Sequence, residues 1–142
     1  MILLLVMTIL GITAMQSTTL QERMAGNMKD RNAAFQAAEA ALREAEEVIA
    51  SDWPTLLGSM QELSTAAANW DGQDGTVVAT TLDDQLFQQP RYHIGPEELV
   101  RINPGELPAE FDCAFPITTI AWGAQETTVV ILESLYKQSP CD

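Results

Sequence analysis

The chain has 142 residues, long enough for one ordinary domain, and carries 20 acidic against 7 basic side chains, a net charge of −13. This acidity argues against nucleic acid as a partner, because no basic face exists to replace the counterions of phosphates. A single histidine, His93, without a second ligand motif argues against a metal site. No catalytic constellation is found either, so we expect neither an enzyme nor a cofactor.

The first fifty residues predict one long helix, the stem, over residues 1–52. Residues 1–15 are almost purely apolar and residues 16–50 are amphipathic, without proline and rich in good helix formers. At 1.5 Å per residue the helix would be roughly 75 Å long. We expect its apolar half to lie in a membrane or a filament core, with these residues facing it: Leu3, Leu4, Val6, Ile9, Leu10, Gly11 and Met15.

Residues 1–15 are short for a membrane span, which needs about 20 residues, and no basic residue flanks them. We therefore expect the sequence to begin within a longer apolar segment.

In the amphipathic half, apolar side chains recur in alternating steps of four and three, which places them in one stripe. We expect the upper part of this stripe to pack on the rest of the protein, with Phe35 as its large anchor: Phe35, Ala38, Leu42, Ala45 and Ile49. Arg31 occupies one stripe position. Either it extends its head into water, or it pairs with a carboxylate on a neighbouring subunit.

The remainder, residues 53–142, is predicted to be an α+β head. A short helix is expected over 55–67 and a turn over 69–76, followed by strands at 76–82, 90–94, 115–122 and 127–137. The segment 95–112, with three prolines, is expected to be an irregular loop, and 123–126 a hairpin turn.

Three polar features of the head have plain structural explanations. His93 lies in a predicted strand, where we expect a half-buried, hydrogen-bonded histidine. Asp71 and Asp74 fit a turn better than a calcium loop, although calcium binding stays open. Cys113 and Cys141 would be spectators in a reducing compartment and could pair if the head is exported.

The order of the segments TTL, ERMAGN, DRN and FQAAEAALR within residues 18–46 resembles the N-terminal signature of PilX-type minor pilins of bacterial type IV pili. Residues 115–137 resemble the family's closing strand pair more loosely, and residues 53–112 match nothing known to us. Family members carry a short charged leader, and most carry a glutamate near the mature N-terminus. Neither is found at the start of this sequence, and we expect an upstream extension that adds several apolar residues and a short basic leader ending in Gly or Ala.

The resemblance implies a pilin-like fold, in which a long N-terminal α-helix packs on a small antiparallel β-sheet head. It implies an inner-membrane protein with a periplasmic head, later part of an extracellular pilus, where it helps to prime assembly and present a tip adhesin. Its partners would be other minor pilins, the major pilin, the adhesin and, before assembly, the inner membrane. A disulfide between Cys113 and Cys141 is also implied. Two alternatives remain: a pseudopilin of a type II secretion system, and a membrane-tethered periplasmic binding domain.

Overall fold

A computed structural model describes residues 2–56, 60–73, 77–79 and 85–139, without the side chains of residues 13–17, 53, 54 and 56. The first element, α1, runs from Ile2 to Leu56 and its backbone leaves helical geometry only at Asp52. That break lies two residues before Pro54, which has no N–H to donate to the helix. The predicted stem end at residue 52 thus coincides with a kink, after which one more helical turn follows.

The described strands are β1 (Val77–Val78), β2 (Arg91–Ile94), β3 (Glu98–Arg101), β4 (Phe111–Trp122) and β5 (Val129–Gln138). All their pairs are antiparallel and belong to one sheet. The long strand β4 is central, because β5 pairs with it from Cys113 to Trp122 on one side while β2 and β3 share its other side. Strand β1 extends the sheet beyond β2. The prediction of an α+β fold with a long N-terminal helix and a small antiparallel sheet is confirmed.

Two local predictions were wrong. The segment expected to be an irregular loop contains β3, whose four residues are all exposed. Such a strand shows no hydrophobic alternation, and only its pairing with β4 defines it.

The helix predicted over 55–67 ends at Leu56, and residues 60–66 form no helix. Residues 57–59 lie outside the described part, and a short 3₁₀ turn follows at Ala67–Asn69. Met60 packs on the side of the sheet that faces α1, whereas Leu63 packs with Trp70 on the other side. The apolar residues of this segment therefore serve two different faces of the sheet, instead of lining one face of a helix.

The core lies between α1 and the sheet. On the described part of the helix, every buried side chain before Ile49 is an alanine, at positions 34, 37, 38, 41 and 45. These methyl groups meet alternate residues of β4, among them Phe115, Ile117 and Ala121. Ile120 and Trp122, which flank Ala121, point to the opposite face, where Trp70 covers them. Because both faces of β4 are covered, nearly all of its side chains are buried.

The prediction that Phe35 anchors the helix on the sheet was wrong. Phe35 is 45% exposed and lies outside the three buried clusters, while Ala38, Ala45 and Ile49 are buried and Leu42 is half-buried beside them. The helix faces the sheet with the side that carries Ala34 and Ala41. Small side chains let the two backbones approach closely, and a phenyl ring at the contact would hold them apart.

Candidate functional site

The stem leaves the head at Asp30. The backbone N–H of Ala124, in the turn between β4 and β5, donates a hydrogen bond of 2.5 Å to Asp30 Oδ1. A Cβ at the neighbouring Gly123 would lie within 2.8 Å of the same carboxylate, so a larger residue there would displace the Asp30 side chain. The turn is held from its other side as well, since the N–H of Phe87 donates to the carbonyl of Gly123 over 2.7 Å. Asp30 therefore fixes the lower end of the head to the stem.

Before Asp30 no described side chain of the stem is buried. Every described side chain from residue 2 to residue 29 is exposed, including the predicted membrane or filament-core residues Leu3, Leu4, Val6, Ile9 and Leu10. Nothing in the described residues approaches Gly11, and the side chain of Met15 lies outside the description. About 40 Å of helix thus projects from the head, at 1.5 Å per residue. The role of these residues in lipid or filament stays a prediction.

The lower half of the predicted apolar stripe continues this exposed surface. It consists of five side chains at steps of four, four, three and four, and we call it the stem stripe: Leu20, Met24, Met28, Arg31 and Phe35. Its four apolar members are 45–68% exposed. Arg31 is exposed among them and forms no ion pair with any residue that the structure describes. Both interpretations of Arg31, a guanidinium in water and an ion pair with a neighbouring subunit, therefore stay predictions.

The face of the sheet opposite α1 carries a cavity of about 350 Å³, which we call the acidic cavity. Four exposed glutamates line it: Glu62, Glu97, Glu98 and Glu133. The ring of His93 also lines it, is buried, and donates from Nε2 to the carbonyl of Gln61 over 2.8 Å. His93 therefore fastens the segment that contains Gln61 to β2, which is a structural task.

A second titratable pair lies on the strands. Asp112 on β4 is buried, and its carboxylate forms an ion pair with the ammonium of Lys137 on β5. Hydrogen bonds from Lys137 and then Ser139 hold the pKa of Asp112 below its usual value, against the opposing effect of burial. This pair fastens the C-terminal end of β5 to β4. Sequence analysis missed it, because nothing marks Asp112 as buried.

The remaining predicted residues lie in the turns and at the C-terminus. Asp71 accepts a hydrogen bond from the N–H of Gln73 over 2.9 Å, as in an Asx turn, and Asp74 lies outside the described residues. Among the residues that the structure covers, no group of three or more metal-binding side chains is found. Cys113 is buried on β4 and Cys141 lies outside the described residues, so their pairing stays a prediction.

Comparison with known proteins adds one result. Residues 1–43 match the family described as PilX N-terminal, which covers most of the stem. No curated protein and no solved structure matches the chain. Within the described residues, no helix is both long enough and apolar enough to span a membrane. The match covers 43 of the 142 residues, which from Ile2 onward lie on α1, and makes the N-terminal part of the chain similar to PilX-type type IV pilins.

Proposed function

We propose that the chain is a minor pilin, a structural subunit of a type IV pilus that helps to prime assembly and to present a tip adhesin, in motility and adhesion. One observation carries the proposal. The PilX N-terminal match falls on a helix whose first 28 described positions project from the head with every described side chain exposed. Exposed apolar surface of this extent favours association, because removing it from water stabilises the complex by about 25 cal/mol per Å².

The apolar half of the stem fits two environments in turn. In the inner membrane it would be surrounded by lipid tails, with the head in the periplasm, and in the pilus by the stems of other subunits. Both surroundings are apolar, so moving between them changes the hydrophobic free energy little. The hydrophobic effect therefore contributes little to the transfer of the stem from membrane to pilus. The choice of neighbouring subunit then depends on how the subunits pack.

The junction at Asp30 fixes the orientation of the head relative to the stem. Since the alanine face of α1 and the hydrogen bond from Ala124 fix the head along the helix, inserting the stem also sets the position of the head. A subunit of this kind offers other minor pilins and the major pilin a head of defined orientation. The same head would present a surface to a tip adhesin.

We also propose that Cys113 and Cys141 form a disulfide in the exported protein. Cys113 is buried in β4, opposite Gln138 in the β4–β5 register, and only two residues separate Gln138 from Cys141 along the chain. Pairing would fasten the C-terminal tail to the central strand. Non-reducing peptide mapping of periplasmic protein should yield one linked peptide pair, and two alkylated thiols would contradict the pairing.

The proposed function is tested by fractionation. In cells that express the full chain, the protein should be recovered in sheared pili as well as in membranes, and deletion should reduce the number of pili. Leu4→Asp should lower recovery in pili at least tenfold relative to the membrane fraction. The matched control is Leu107→Asp, in a loop where Leu107 is 90% exposed, and it should behave as the parent. Recovery of the parent with a secretion machine, and not with pili, would favour a pseudopilin instead.

A further inference from the structure

The stem stripe has a composition that requires a particular partner. Four of its side chains are apolar and exposed, and the guanidinium of Arg31 lies among them without an ion pair to any described residue. If an apolar surface alone covered the stripe, Arg31 would be buried without a counter-charge, which is strongly unfavourable. A surface that covers Arg31 together with its apolar neighbours must therefore combine apolar contact with a carboxylate opposite Arg31.

The acidic cavity offers that combination. Its four glutamates are exposed and form no ion pair with a described residue. Beside them on β5, two residues after Glu133 and on the same face of the strand, Leu135 is 60% exposed. The same molecule thus carries a surface with carboxylates around an exposed leucine.

One copy cannot bring its own two surfaces together. The helix α1 packs on one face of the sheet, through Ala38 and Ala45, and the acidic cavity opens on the opposite face, beside Thr118 of β4. Contact between the stem stripe and the acidic cavity therefore requires a second copy.

We propose that the stem stripe of one copy docks on the acidic cavity of a second copy, with Arg31 facing the carboxylate of Glu133 and its neighbours. The inference rests on the proposed function, since it names the partner of the exposed stem. Charge favours this arrangement: from residue 34 onward the chain carries 18 acidic and 4 basic residues, while residues 18–33 carry 2 acidic and 3 basic residues. Heads repel one another, and a head attracts a stem.

The contact joins two different surfaces, so it is head-to-tail and need not close. Repetition of such an interface builds an open, helical assembly, whereas a contact between identical patches ends at a dimer. A head-to-tail contact along the stem is therefore compatible with a filament.

The experiment uses the full chain in pilus-forming cells, expressed as two copies with different tags. A photo-crosslinking amino acid replaces Met28, three residues before Arg31 and on the same stripe. We expect a cross-linked product between the two tagged copies, with peptides from residues 62–67, 95–98 or 129–137 of the second copy. Arg31→Glu should lower its yield at least fivefold, and Glu133→Arg in the second copy should restore at least half of it. The control Arg43→Glu changes an arginine that is 75% exposed on the same helix and paired with Glu39, and it should leave the yield unchanged.

Cross-links only to another protein or to lipid, or a yield that Arg31→Glu does not change, would overturn the proposed contact. Incorporation of the parent chain into sheared pili is measured in the same cells. If the parent enters pili without the inter-copy product, the contact is refuted and the proposed function stands. If the product forms in membranes while the chain never enters pili, the contact is supported and the proposed function is refuted.

Discussion

The assignment of the buried face of the stem can be tested with two alanine substitutions on the same helix. Ile49 is fully buried in the cluster that joins α1 to β4, and Phe35 is 45% exposed outside it. Hydrophobicity and size alone would predict the larger effect for Phe35. The structure predicts the opposite order.

The magnitudes follow from burial. Ile49→Ala removes a branched side chain from a closed site, and such truncations cost about 2–5 kcal/mol. Phe35→Ala leaves no closed cavity, so only the transfer of its covered part is lost, about 1 kcal/mol. The higher helix propensity of alanine offsets roughly half of that loss. We therefore expect Ile49→Ala to lower Tm by about 8 °C or more and Phe35→Ala by about 2–4 °C, at roughly 4–8 °C per kcal/mol for a small domain.

The assay is thermal and urea unfolding followed by circular dichroism, on residues 29–142, with each variant beside the parent. The urea midpoint should shift while the m-value stays constant, which shows that stability and not compactness has changed. Leu107→Ala, at a 90% exposed position, provides the control and should melt within about 1 °C of the parent. If Phe35→Ala lowered Tm as much as Ile49→Ala does, the buried face assigned to α1 would be incorrect.

Three further predictions concern the junction and the strands. Residues 29–142 should form a monomer with one cooperative melt, because the uncovered apolar half is gone; aggregation in sedimentation experiments would place the boundary elsewhere. Lys137 lowers the pKa of Asp112, so the stabilisation is present above the unfolded pKa of about 3.9 and is lost as pH falls through the folded value. Asp112→Asn should accordingly destabilise the head at pH 7 and progressively less below about pH 4 in urea titrations, and parallel curves for the two proteins would refute this. Gly123→Ala should accelerate hydrogen exchange in the β4–β5 turn about tenfold, because its methyl group displaces the carboxylate of Asp30; unchanged exchange would mean that the turn adapts without losing this bond.

The elements with a strong internal signal were predictable. The stem is uniformly rich in helix formers, and β4 and β5 are rich in β-branched and aromatic residues. Strand β3 carries no such signal, because its side chains are all exposed and its place depends on β4 alone. The sequence of a segment cannot reveal a strand that only its pairing with another strand defines.

The rotation of the stem was not predictable for a different reason. Apolar periodicity weights large side chains such as Phe35 and Met28 more than alanine, so it points to the bulky side of the helix. Close approach to a sheet selects small side chains instead, and the alanine side is the one that is buried. A helix that must contact both its own head and other molecules carries two apolar faces, and periodicity does not say which partner each face meets.

The junction and the ion pair depend on contacts between distant parts of the chain. Asp30 and Ala124 are 94 residues apart in sequence, and no pattern around either one indicates the other. Asp112 is flanked by apolar residues in β4. Because its carboxylate is buried there, it depends on Lys137 for a counter-charge. Their spatial proximity follows from the β4–β5 register and from the rotation of α1, both of which are properties of the folded chain.

The division of the stem between two faces gives a physical account of how one helix serves both folding and assembly. Alanines bury little area each, so they stabilise the head through close packing with β4 rather than through the amount of apolar surface covered. The larger side chains of the stem stripe stay exposed, and the free energy of covering them is realised only on association. If the large residues faced the sheet and the alanines faced outward, the stem would offer neighbouring molecules less apolar surface. The observed rotation of α1 therefore keeps the strongest apolar contacts of the stem for other molecules.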